Sequence, residues 1–100
     1  MHNKIYPNVM RKYRKGRGLN QKQVAMIIGI SSGSIISRWE NNRCLPRTIN
    51  ILKLARLYRV MADTLFPYLT TALVQEIWER EEELHNLNNF KSRAKTLRTE

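Results

Sequence analysis

With one cysteine, three prolines and four glycines in 100 residues, the chain has few covalent or conformational staples. Cys44 has no partner for an internal disulfide, and a protein-only metal site would have to recruit the distant His2 or His85. Cys44 is therefore expected to be a reduced, structurally minor residue, and no metal or other cofactor is expected. No apolar run approaches the ~18 to 20 residues needed to span a bilayer, and no secretory hydrophobic segment comes after the basic start of the sequence. The expected location is the cytoplasm. Two histidines, one cysteine and a set of surface-type glutamates form no nucleophile constellation, so an enzyme is not expected. There is no evident exposed aromatic platform for unstacked bases, which argues against single-stranded RNA.

Acidic groups are also scarce, with 8 Asp and Glu against 18 Lys and Arg, a net charge of +10. The excess is unevenly spread. Residues 1–67 carry thirteen basic and two acidic side chains, whereas residues 68–100 carry five and six. A field of this kind concentrates polyanions, although membranes and acidic proteins would also be attracted. An apolar content of 42% is enough for one small core, and a separate catalytic domain does not fit the length.

The segment Gly18 to Asn42, GLNQKQVAMIIGISSGSIISRWENN, reads as helix, tight turn and helix. Asn20 and Gln23 have the spacing of a capping box, and Val24, Ala25 and Ile28 form a buried stripe. Gly29 stands where that helix must stop. Ser31, Ser32 and Ser34 signal a second start, after which Ile36 and Trp39 share a core-facing side. Ser34, Ser37, Arg38 and Asn41 fall at i, i+3, i+4 and i+7 and so share one polar face. Hydroxyl, guanidinium and amide groups suit base edges in a major groove, Arg matching guanine and Asn matching adenine. In an acidic chain the same pattern would be an ordinary solvated face; here the basic surroundings favour duplex DNA.

These residues resemble the Cro and lambda-repressor-like (Xre-type) helix-turn-helix family over about residues 5–67. Leu19, Asn20 and Gln21 match the entry to the family's second helix, and Ala25 and Gly29 match its small packing positions. Ile36, Ser37, Arg38, Trp39 and Glu40 match the end of its recognition helix. Downstream, Pro46, Leu52, Leu54, Ala55, Val60 and Leu65 fit its fourth and fifth helices. The resemblance implies an all-α, compact five-helix DNA-binding domain with an additional C-terminal helix. It further implies a pair between Arg14 and Glu40 joining the first helix to the third, and a backbone contact from Gln21.

Two departures from the family pattern matter. Gly29 and Glu40 are eleven residues apart where the family places ten. Inside a helix the extra residue would rotate the downstream side chains by about 100° and expel Ile36 or Trp39 from the core, so the turn or the first residues of the third helix should absorb it. Asn42 replaces the common terminating Gly, and Asn tolerates the left-handed conformation required there.

Around the motif, residues 8–15 predict a helix capped by Asn8, with Tyr6, Met10 and Tyr13 inward and Arg11, Lys12 and Lys15 outward. Residues 48–58 predict a fourth helix with Ile51, Leu54, Ala55 and Tyr58 facing the core, and Ala62 to Phe66 a short fifth helix before Pro67. The Leu and Ile side chains there are expected to pack, leaving no effector pocket. Residues 70–87 predict a longer helix with Leu73, Ile77, Leu84 and Leu87 on one side and Glu76, Glu79, Glu81, Glu82 and Glu83 exposed. Arg80 interrupts its heptad, so the helix suits either dimerisation or packing on its own domain. The expected organisation is thus a DNA-binding domain over 1–67, a C-terminal helix over 68–88 and a basic, flexible tail over 89–100.

The expected base contacts are Ser32, Gly33, Ser34, Ser37, Arg38 and Asn41, and the expected backbone contacts are Asn20, Gln21, Lys22, Arg43 and Arg47. Together they imply a sequence-specific regulator of double-stranded DNA, acting as a repressor on a pseudo-palindromic operator as a homodimer in the nucleoid. The alternative is an antitoxin-type module whose acidic C-terminal helix holds a protein partner while the basic domain binds DNA.

Overall fold

The computed structural model describes the backbone of residues 7–99 and the side chains of residues 7–90. Its elements are α1 (Met10–Gly16), α2 (Gln21–Ile28), α3 (Gly33–Glu40), α4 (Thr48–Tyr58), a 3-10 turn (Ala62–Leu65) and α5 (Pro67–Thr99). No strand occurs among the described residues. The chain divides into two units, Met1–Thr70 and Thr71–Glu100.

In the first unit, α1 starts later than expected because Asn8 acts from one position outside the helix cap. Its amide oxygen accepts the Met10 N–H at 3.0 Å, while its amide nitrogen donates to the Trp39 carbonyl at 2.8 Å. One side chain thereby starts α1 and ties it to α3. Met10 is buried, Tyr13 half-buried, and Arg11, Lys12 and Lys15 are exposed, in line with the sequence pattern; Tyr6 lies outside the described residues.

The start of α2 is the capping box that its sequence predicts. The Asn20 side chain accepts the Gln23 N–H at 2.7 Å, and the Gln23 side chain accepts the Asn20 N–H at 2.9 Å. Gly29 ends the helix at φ +84°, in the left-handed region. Lys53 reaches over from α4 and donates to the Ile28 carbonyl at 2.9 Å, satisfying one of the acceptors that a helix end leaves open.

Helices α2 and α3 are both uninterrupted, so residues 29–32 take up the extra residue in the turn. The serine start signal does not act as expected. Ser32 occupies the cap position with extended backbone, yet its hydroxyl bonds the Ser34 hydroxyl at 2.7 Å and makes no side-chain bond to a helix N–H. At the other end Asn42 adopts φ +64°, as its place in the pattern requires.

Met10, Val24, Ile36, Leu54 and Leu65 are almost fully buried, and Trp39, Tyr58 and Phe66 complete the core around them. Deleting a side chain such as Leu54 should cost about 2–5 kcal/mol, through lost transfer energy and the cavity left behind. Helix α4 has its expected bounds, with Leu54, Ala55 and Tyr58 buried and Ile51 half-buried. Two of its apolar residues depart from the packing expectation: Ile49 is 61% and Leu52 57% exposed. They sit on the side of α4 opposite the buried stripe, which one amphipathic helix cannot also turn inward.

The expected fifth helix is only a 3-10 turn, closed by Leu65 and Phe66 in the core. Pro67 then opens α5, where its missing N–H would have had no intrahelical partner anyway. Thr70 closes this unit by donating from its hydroxyl to the Asp63 carbonyl at 3.1 Å.

In the second unit helical backbone continues through Thr99, past the end of the C-terminal helix expected at residue 88. No Gly or Pro occurs after Pro67, and most of the remaining residues are good helix formers. Every side chain from 73 to 90 is exposed, and pairs one turn apart such as Arg80 with Glu76 at 3.2 Å decorate the helix.

Candidate nucleic-acid interface

The interface is organised around a carboxylate that DNA would repel if it were exposed. The Glu40 side chain is only 1% exposed at the end of α3. It accepts hydrogen bonds from Arg14 Nε at 2.6 Å and Nη2 at 3.0 Å, from Gln21 Nε2 at 3.0 Å and from Arg11 Nε at 3.4 Å. Arg14 also donates from Nη1 to the Leu19 carbonyl at 3.0 Å. The pair that the family resemblance implied is present, and it ties α1, the first turn of α2 and the end of α3 together. Burial, the largest single influence, pushes the Glu40 pKa up. The hydrogen bonds from Arg14 and Gln21, the Arg14 charge and the Arg11 hydrogen bond together outweigh it, so Glu40 titrates below the ordinary carboxylate value. The Arg14 pKa is raised, chiefly by its hydrogen bond to Glu40 and against the effect of burial.

Gly33 sets the distance between the two helices of the motif. A Cβ at this position would stand 3.0 Å from the Lys22 backbone nitrogen and 3.1 Å from the Gln21 carbonyl carbon. The start of α3 therefore lies against the start of α2, bringing two positive helix ends to one region. The observed part played by Gly33, expected as a base contact, is this close approach.

Of the other expected base contacts, Ser32, Ser34, Arg38 and Asn41 are exposed and Ser37 is half-buried. Asn41 is already engaged. Its amide nitrogen donates to Ser37 Oγ at 3.1 Å, and its amide oxygen accepts from Arg11 Nη2 at 2.7 Å. Arg38 follows Ser37 in the sequence and is exposed.

The expected backbone contacts differ in how they are held. Lys22, Arg43 and Arg47 are exposed, whereas Gln21 is half-buried with its amide on Glu40, and Asn20 is exposed with its side chain in the capping box. The Arg43 backbone N–H bonds the Arg38 carbonyl at 2.9 Å, fixing the loop directly behind the recognition helix. Sequence reasoning assigned Arg11 only an outward charge and missed its bridge to Glu40 and Asn41. The signal was its position one turn before Arg14, which puts both guanidinium groups on one side of α1.

A capped helix, a left-handed glycine, a short turn and a second helix with a buried Trp and an exposed polar face define a helix-turn-helix module of the DNA-binding class. A family model described as a helix-turn-helix domain matches residues 8–67. The chain belongs to this family, consistent with the Xre-type resemblance of its motif. No curated protein and no solved structure shows a significant match to it. Among the described residues no helix is long and apolar enough to cross a membrane, and no cluster of His, Cys, Asp and Glu is arranged to hold a metal ion.

Proposed function

We propose that this protein is a sequence-specific transcriptional regulator that represses by occupying a pseudo-palindromic operator as a homodimer, working in the cytoplasm at the nucleoid and without a catalytic role. The observation that carries the reading is the face of α3: Ser34, Arg38 and Asn41 lie exposed on a helix anchored from behind by Ile36 and Trp39 and locked at its end through Glu40. Ser37 and Arg38 meet base edges, Asn41 and Arg11 hold that surface in shape, and Lys22, Arg43 and Arg47 meet phosphates. One such helix reads few bases, and two copies on a two-fold site supply the remaining specificity.

A second reading rests on the exposed Glu76, Glu79 and Glu81–Glu83 of α5. In it the acidic helix engages a protein partner in the manner of an antitoxin while the first unit binds DNA. Selection of bound duplexes from a random library at defined salt tests the leading reading. Enrichment of a two-fold repeat supports it. Salt-sensitive binding without enrichment contradicts it, and a stable co-purified protein partner favours the second reading.

A further inference from the structure

Helix α4 has an outward face that the core and the DNA-facing residues do not use. Ile49, Leu52, Lys53 and Arg56 recur at i, i+3, i+4 and i+7, so they share one side of the helix. With Ile27 of α2 they line an apolar trough. Ile27 is 56% exposed, close to the values for Ile49 and Leu52, which gives a cluster of aliphatic side chains in water on a small domain. At Arg56 and Leu57 the trough continues into a second groove lined by Arg17, Arg59 and Met61. Along α4 from its N-terminus to its C-terminus, the surface thus changes from aliphatic to arginine-rich. None of these residues is among the candidate DNA contacts.

The second unit carries the complementary order. Leu73, Val74, Ile77 and Trp78 are all exposed and fall within about 140° of helix circumference. One turn further on, Glu81 falls within the same arc and Glu82 about 40° beyond its Trp78 edge, while Arg80 lies about 20° beyond the Leu73 edge and Glu83 on the opposite side. From Leu73 to Glu82 the helix therefore changes from apolar to acidic along one side.

We propose that the α4 groove of one copy receives residues 73–82 of a second copy, with the two helices parallel. Only this direction sets aliphatic residues against aliphatic residues and carboxylates against guanidinium groups. The opposite direction would place Glu81 and Glu82 over Ile49 and Leu52, desolvating unpaired charge. Val74 then lies by Ile49, Trp78 by Leu52 and Lys53, and Glu81 and Glu82 by Arg56 and Arg59. The contact is made twice around a two-fold axis, each copy giving its helix and receiving its partner's. The inference rests on the dimeric reading above and identifies the surface that makes the dimer.

The test uses full-length chains in a Cys44→Ser background, one carrying Ile49→Cys and the other Val74→Cys, with tags of different mass. Because each chain has a single thiol, any 49-to-74 bridge formed by a short bismaleimide must join two copies. The expected result is that bridge, together with a dimer mass in solution that is lost in Arg56→Glu or Glu82→Arg and restored when both changes are present. A dimer that yields only 74-to-74 bridges, or neither bridge, overturns the groove assignment and leaves the dimeric reading standing. A monomer at every concentration overturns both. A bridge from Ile49→Cys to Glu82→Cys in place of Val74→Cys overturns the parallel direction.

Discussion

Arg14 of α1 holds Glu40 of α3 through two guanidinium hydrogen bonds, of 2.6 and 3.0 Å, with side-chain exposures of 10% and 1%. The pair is structural: its work is to fix the end of the recognition helix. Replacing either partner alone strands the other charge, and Arg14→Ala should cost about 3–5 kcal/mol, a large share of a small domain's stability. Chemical denaturation checks this. A double replacement of Arg14 and Glu40 by apolar residues should cost less than the sum of the two single changes.

Acid should weaken the domain through the same pair. Glu40 titrates below its ordinary value of 4.5 in the folded state, so its ionised form stabilises the fold above that pH and the contribution is lost as pH falls through the depressed native value. Denaturation midpoints measured from pH 7 down to pH 3 should fall below pH 4.5. Glu40→Gln should start from a lower midpoint and fall less steeply.

Gly33 is expected to resist even the smallest substitution. In Gly33→Ala the new methyl meets Lys22 and Gln21 backbone at 3.0–3.1 Å, and backbone cannot swing aside as a flexible side chain can. The expected loss is about 1–3 kcal/mol, with weaker binding to specific duplex DNA as α3 is displaced from α2. Ser34→Ala, one residue on and exposed, serves as the control and should leave stability nearly unchanged.

Tyr58 gives a prediction of opposite sign. Among the described residues its buried hydroxyl has no hydrogen-bond partner, and burial, then the nearby Glu40 charge, pushes its pKa up to about 12 from 10.0. Tyr58→Phe should be neutral or stabilising, by up to about 1 kcal/mol, because it removes an unpaired polar group from the core. Folding holds the phenol protonated, so the parent should lose stability between pH 10 and 12 as the unfolded chain ionises first; the Phe variant should lack this contribution.

The features legible in the sequence were those governed by local rules. The Asn20 and Gln23 capping box, the left-handed Gly29 and Asn42, and the buried Ile36 and Trp39 each arise from a pattern a few residues long. The bond from Asn8 to the Trp39 carbonyl and that from Lys53 to the Ile28 carbonyl join residues 31 and 25 positions apart, which no local pattern reveals. Arg59 ends α4 in the left-handed region at φ +60°, a conformation its type does not advertise. Within the candidate site, the residue types on α3 were readable, whereas the engagement of Asn41 by both Arg11 and Ser37 depended on how α1 crosses α3.

If α3 reads bases while the loop behind it grips phosphate, the two arginines Arg38 and Arg43 must fail in different ways. Affinities of the parent, Arg38→Ala and Arg43→Ala for a selected duplex and for a scrambled one, taken across a salt series, separate the two roles. Arg38→Ala should lower the ratio of specific to nonspecific affinity, by about 1–3 kcal/mol for a lost bidentate base contact. Arg43→Ala should weaken both duplexes alike and reduce the salt slope by about one unit. Equal losses on both duplexes from both variants would contradict this division of labour.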